Sequence, residues 1–249
     1  MKTKIGIILG MFLSIASPAN SGMFDDLMEK VNPALEGVTG DSGSAAGKVL
    51  SLEKTVSGLK EALSVGTGNA VSLLSKDGGY FGNDLTKILM PEKIQNVADM
   101  LKKVGMGSQV DTFVLTMNQA AEKAAPQAKE YFMDAIKEMT FDDAKKILNG
   151  GDTAATDYLK AKTSDKIYAA FKPSVSSSMD QVGATKAYKS MMQSFTSLPF
   201  MSAQSLDLDH YVTENALKGL FLRVGEEEAK IRANPSARVT GLLQQVFGK

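Results

Sequence analysis

"SQVDTFVLTMNQAAEKAAPQAKEYFMDAIKEM", Ser108 to Met139, decides the fold class. Its apolar side chains fall at Val110, Phe113, Val114, Met117, Ala121, Ala124, Ala128, Tyr131, Phe132, Ala135 and Ile136, at the three-and-four spacing that gathers them on one face of a helix. Much of that face is alanine, so a neighbouring helix can approach closely. Ser108 is placed to cap the start. Pro126 lies inside the run and is expected to kink it: it has no N–H to donate, and its ring crowds the carbonyl four residues back, that of Glu122.

The same periodicity continues on both sides. Toward the C-terminus, Thr140-Phe141-Asp142-Asp143 resembles a capping box with Asp143 in the Glu position, opening a short helix through Ile147 and Leu148. Asn149-Gly150-Gly151 is expected to end that helix in a left-handed turn, and Asp152 to cap the next, whose first turn is Thr153-Ala154-Ala155. Further helices are expected over Pro173–Leu198, Leu208–Ala233 and Pro235–Phe247, the last capped by Asn234. Toward the N-terminus, Val56, Leu59, Leu63, Ala70, Val71 and Leu74 recur at helical spacing, with Gly66 and Gly68 loosening the middle. Ser75–Pro91 reads as the longest loop, and Pro91 as the first residue of a helix ending near Gly105. No alternating β-branched run with hairpin turns is present. The fold class is therefore all-α: a single-domain bundle over residues 50–249, of roughly seven to nine helices.

Ahead of it, Lys2 and Lys4 precede an apolar run from Ile5 to Ala16, followed by the small residues Ser17 to Ser21. This is the pattern of a secretory signal peptide over residues 1–21, cleaved after Ser21 or Ala19. A spanning helix needs about 20 apolar residues, more than the run offers, so no stable membrane anchor is expected once it is removed. Residues 22–49 read as a flexible segment: a short amphipathic helix over Met23–Val31, then a glycine-rich linker over Pro33–Lys48. The chain has no cysteine, which excludes disulfides and a lipid anchor on a cysteine. The periplasm is the expected compartment. Lys and Arg together number 28, as do Asp and Glu, and loss of Lys2 and Lys4 tips the balance slightly acidic. Such a surface offers no footprint for nucleic acid.

Motifs that carry chemistry are scarce. The lone histidine, His210, follows Asp207 and Asp209 at a helix start, where a solvated histidine is the plain reading. One His and no Cys leave a zinc site without the nitrogen and sulfur ligands it ordinarily takes, and no metal or cofactor is expected. Ser51-Leu52-Glu53-Lys54 and Ser57-Gly58-Leu59-Lys60 match Ser-x-x-Lys without its companions, and neither a nucleophile elbow nor a phosphate loop occurs. Asp77-Gly78-Gly79 with Asn83 and Asp84 has oxygen ligands at the wrong spacing for an EF-hand. Asp152 is a weak candidate for holding a bound group.

The anomaly lies near the C-terminus. The stripe Val212, Ala216, Leu217, Leu220, Phe221, Val224 continues onto Glu227 and Glu228 before Ile231 resumes it. A carboxylate on a buried stripe must be paired or hydrogen-bonded. Arg232, four residues on, and Arg238, in the final helix, are the expected partners. Asn118 and Glu122 ride one turn apart at the edge of the alanine face in the same manner. These six residues are either a structural polar network or the polar lining of a ligand pocket.

"MNQAAEKAAPQAKEYFMDAIKEMTFDDAKKILNGGDTAATDYLKAKT" (Met117–Thr163), "YVTENALKGLF" (Tyr211–Phe221) and "EEEAKIRANPSARVTGLL" (Glu226–Leu243) together resemble a family of exported bacterial proteins known only as domain of unknown function 4197. The resemblance runs from about Leu59 to Gly248, with Val239 where the family pattern suggests Thr. It implies a single helical domain outside the cytoplasm and supplies no activity. The residues themselves, with a Met- and Ala-rich interior, an apolar loop at Leu198-Pro199-Phe200-Met201 and the interrupting carboxylates, leave two functions expected. The first is a non-enzymatic binding or envelope-maintenance protein that holds an apolar or amphipathic small molecule. The second is a hydrolase or lyase with Glu227 or Glu228 as general base and Arg232 or Arg238 as anion clamp.

Overall fold

The computed structural model describes residues 42–199 and 206–233, with side chains from residue 53 onward. The stretches expected as a signal peptide and as helices over Met23–Val31 and Pro235–Phe247, and Arg238, lie outside the described residues. The chain divides into two units at Val49 and Leu50. Of the first, only the beginning of a helix is described; the second holds the rest of that helix and all the other described elements.

That helix, α1, is Ser42–Leu74. It starts inside the stretch expected as a linker, because glycine in a helix costs only about 1 kcal/mol relative to alanine and does not forbid it. Gly66 does not loosen α1 either. A Cβ there would stand 3.3 Å from Ile231 Cδ1 and 3.5 Å from Glu227 Cβ, so the glycine admits a neighbouring helix. Pro91 stands in extended backbone (φ −56°, ψ 132°) before a 3-10 turn, Glu92–Ile94, rather than as the first residue of α2, Gln95–Lys103. α2 ends at Gly105, which takes φ +81° and donates to Lys102 O at 3.2 Å, while Met106 N–H donates to Leu101 O at 2.8 Å. This paired closure needs the left-handed residue that glycine supplies. It leads directly into α3, Gly107–Ala124, so no extended cap residue intervenes and Ser108 sits in the first turn without capping it.

The expected long helix resolves into α3 and α4, Ala128–Glu138, joined by a 3-10 turn, Ala125–Gln127, that holds Pro126. The alanine stripe is the core: Ala120, Ala121, Ala124, Ala125 and Ala128 are all fully buried, between Phe113 and Phe132. α5, Phe141–Leu148, opens with the expected capping box: Thr140 Oγ1 accepts from Asp143 N–H, and Asp143 accepts from Thr140 N–H at 3.1 Å and Thr140 Oγ1–H at 2.7 Å. Those bonds to the ionised carboxylate hold Asp143 below the usual carboxylate pKa.

α6, Ala154–Gln181, is a 28-residue helix with Pro173 inside it, not at a start. Ile167, Phe171, Val175 and Met179 share one buried face across the proline, and their packing outweighs the one lost bond. The break comes instead at Gly183 (φ +81°), before α7, Ala184–Thr196. α8, Leu208–Ala233, has the bounds the periodicity implies. α6 is central and packs on α3, α4, α5, α7 and α8, and Phe132 meets Phe221 edge-on at 5.8 Å. Every regular element among the described residues is helical.

Candidate functional site

Glu227 and Glu228 are both buried, in the last turns of α8. Glu228 Oε1 accepts from Ala155 N–H at 3.0 Å, and Oε2 from Thr156 N–H at 2.8 Å and Thr156 Oγ1–H at 2.7 Å. These are first-turn N–H groups of α6, which a helix cannot satisfy from within itself. Glu228 is thus the cap of α6, delivered from another helix. Carboxylates suit this place because the N-terminal end of a helix carries partial positive charge. Arg232 completes the arrangement: its Nε and Nη2 donate to Glu228 Oε1 at 2.9 and 2.7 Å, and Nη2 also donates to Ile147 O at 3.2 Å. The end of α5, the start of α6 and the end of α8 are therefore tied by one ion pair.

This corrects the reading of residues 149–152. Thr153, not Asp152, precedes the first residue of α6 in the cap position, and it makes no side-chain cap bond; Asp152 is exposed. Neither Gly150 nor Gly151 is left-handed, the positive-φ glycines being Gly78, Gly105 and Gly183 among the described residues. Asn149 ends α5 at φ −91°, and Gly150 N–H donates to Ile147 O at 3.2 Å. Gly150 is required by space: a Cβ would lie 2.5 Å from Ala154 Cβ and 2.9 Å from Lys146 O.

Glu227 turns toward α1, where Asn69 Nδ2 donates to Oε2 at 3.1 Å, and Lys230 Nζ donates to Oε1 at 2.6 Å. Two small cavities lie beside Glu228, of about 20 and 10 Å³, walled by Ala62, Leu63, Ala155 and Ile231 among others. Each has room for about one water.

Asn118 and Glu122 act on Ser75–Pro91. Asn118 Oδ1 accepts from Ile88 N–H at 2.8 Å, and Nδ2 donates to Ile88 O and Val114 O, each at 2.8 Å, so the amide pairs with the loop as a strand neighbour would. One turn on, Glu122 Oε1 accepts from Tyr80 N–H at 3.0 Å and Phe81 N–H at 3.2 Å. Tyr80 is fully buried, and its hydroxyl donates to Ala216 O at 2.9 Å. Burial and the Glu122 carboxylate push its phenol pKa well above the ordinary range. The ring lies on Gly219, where a Cβ would come within 2.8 Å of Tyr80 Cε1. Tyr211 Oη donates to Leu89 O at 3.0 Å. The loop has no regular structure beyond short turns, and buried polar groups hold it at both ends.

His210 bonds to Asp207 and Tyr168 rather than to the residues of either cluster. Asp207 accepts from its N–H at 2.9 Å, making Asp207 the capping residue, and that bond holds the Asp207 pKa low. The exposed imidazole Nδ1 is 2.7 Å from Tyr168 Oη.

The family model described as "Protein of unknown function (DUF4197)" matches residues 49–248. The chain belongs to that family. No curated protein and no solved structure matches it. The family match covers both clusters, the Glu228 cap and the pinned loop. Tyr80, Gly219, Asn69 and Thr156 were not singled out as site residues from the sequence. Tyr80 and Gly219 could have been suspected together, since a buried ring needs a gap in the stripe it packs on, and Gly219 sits between the inward Ala216 and Leu220.

Proposed function

We propose that the chain is a non-enzymatic binding protein of the bacterial envelope, taking an apolar or amphipathic ligand on the Ser75–Pro91 loop. The observation that carries this reading is the contrast within that loop. Asn118, Glu122, Tyr80 and Thr86, all buried, hold its backbone, while Leu85 and Leu89 are 69% and 62% exposed, the highest values among its large apolar side chains. Long ordered loops on a helical scaffold are where binding groups concentrate. The signal-peptide pattern of residues 1–21 supports the compartment.

The hydrolase or lyase reading has less support. A general base needs a lone pair within reach of substrate. Both Glu228 oxygens accept bonds from the start of α6, and the adjoining space holds about one water each.

The test is native mass spectrometry of the chain expressed with its own leader and released from the periplasm by osmotic shock. A mature mass lacking residues 1–21 or 1–19 is expected, with an adduct that organic solvent extracts. Full-length protein retained in the inner membrane overturns the compartment. A bare mature protein that also fails to bind an apolar fluorescent probe overturns the binding function.

A further inference from the structure

Independently of any ligand, we infer that Asn149 is a latent self-modification site. The Gly150 backbone nitrogen attacks its side-chain amide once the α5–α6 turn opens, and the Glu228–Arg232 pair keeps that turn shut. Asn149-Gly150 is the one Asn-Gly pair in the chain, and both residues are exposed. Glycine leaves the attacking nitrogen unshielded, since it carries no Cβ. That nitrogen gives up its proton to base and bonds to Asn149 Cγ, the Cγ–Nδ2 bond breaks, and ammonia leaves. Water then opens the resulting five-membered imide at either carbonyl. One product is aspartate; in the other, isoaspartate, the main chain runs through Cγ. Nothing is oxidised or reduced, and water is the only co-reactant.

The closed turn blocks the first step. Asn149 has ψ −2°, so the Gly150 nitrogen eclipses the Asn149 nitrogen. Ring closure needs it to eclipse Cβ instead, a third of a turn away about the Cα–C bond, and ψ is the soft torsion that carries it there. That rotation pulls Gly150 N–H off Ile147 O, 3.2 Å from it. It also displaces a glycine fitted closely against Ala154 and Lys146 O. Ile147 O is the carbonyl that Arg232 Nη2 holds, while Glu228 holds Ala155 and Thr156 N–H just beyond the turn. One ion pair thus fixes the turn at both ends, and local opening must strain it.

The modification is one-way. Aspartate at 149 sets a negative charge at the C-terminal end of α5, where the helix already carries partial negative charge. Isoaspartate adds a backbone atom to a turn in which even a Cβ on Gly150 would lie 2.5 Å from Ala154 Cβ. Either product disfavours reclosure, so a transient opening of the α5–α6–α8 junction becomes permanent.

In the test, the purified chain is held in mildly alkaline buffer, and its peptides are followed by mass and by isoaspartate-specific methylation. Asn149 should be modified at least about tenfold more slowly in the folded wild type than in urea. Both rates should rise with pH, because the nitrogen must lose its proton. Glu228→Gln should raise the folded rate severalfold, together with hydrogen exchange at the Gly150 amide. Arg232→Lys, which keeps the charge but loses the fork that spans Glu228 and Ile147 O, should do the same. Asn118→Leu loosens the Ser75–Pro91 loop instead and should leave the rate unchanged, which separates local from global opening. No modification at Asn149 in urea would show that it is not a site, and equal rates folded and in urea that the turn does not guard it. A folded rate that the Glu228 and Arg232 variants leave unchanged, or that Asn118→Leu raises as much, overturns control by the ion pair.

Discussion

Glu228→Ala removes a helix cap and one half of a buried ion pair at once. The cap alone is worth about 1 kcal/mol. The larger part comes from Arg232, whose side chain is 22% exposed against 5% for Glu228, and which would keep its charge with its carboxylate gone. Breaking such a pair from one side costs about 3–5 kcal/mol, and that range is the expected loss for Glu228→Ala. Glu228→Gln should fall between, on the order of 2 kcal/mol. Its amide has one oxygen, while donors stand at both former carboxylate positions, Arg232 and Ala155 at one and Thr156 at the other. Asp152→Ala is the decisive companion. A cap at Asp152 would make it cost about 1 kcal/mol. The observed geometry makes it a surface change, worth less than about 0.5 kcal/mol. Urea midpoints at constant slope measure all three, and hydrogen exchange at the Ala155 and Thr156 amides should accelerate in the Glu228 variants and not in Asp152→Ala. An Asp152→Ala loss equal to that of Glu228→Gln, or a Glu228→Ala loss under about 1 kcal/mol, would refute the cross-helix cap.

Gly150→Ala should destabilise by about 1–3 kcal/mol, because its Cβ would meet Ala154 and Lys146. Gly151→Ala, with nothing within 4 Å, should be neutral or slightly stabilising in a thermal melt. Asn118→Leu leaves Ile88 N–H and O without partners and should cost on the order of 3 kcal/mol, with protease nicking between Ser75 and Pro91 as the local readout. Tyr80→Phe should cost about 1 kcal/mol at neutral pH for the lost bond to Ala216 O. It should also flatten the alkaline limb. The folded phenol pKa is raised above its ordinary 10.0, so as pH rises past that value the unfolded chain loses its proton first and wild-type stability falls. A Tyr80→Phe curve that declines as steeply above pH 10.0 would show that Tyr80 is not the source.

Local chemistry was readable wherever it depends on neighbours in the chain. The helical class, the Thr140–Asp143 capping box, the bounds of Leu208–Ala233 and the interruption of its stripe by Glu227 and Glu228 all come from spacing and side-chain type. Inference failed where a residue's task belongs to a distant partner. Asp152 has the chemistry of a cap, but Glu228, more than 70 residues away, arrives with both oxygens on the same N–H groups. Gly150 and Gly66 look like conformational residues and serve as clearances. Pro173 looks like a helix start, yet the face Ile167, Phe171, Val175, Met179 is held across it by packing that no local propensity records. The alanine face likewise announces a close helix contact without naming the helix. Period and propensity act over three or four residues, so they determine what each segment is. Which segments meet, and which buried carboxylate answers which orphan N–H, is decided only when the chain closes on itself and each buried polar group must find a partner.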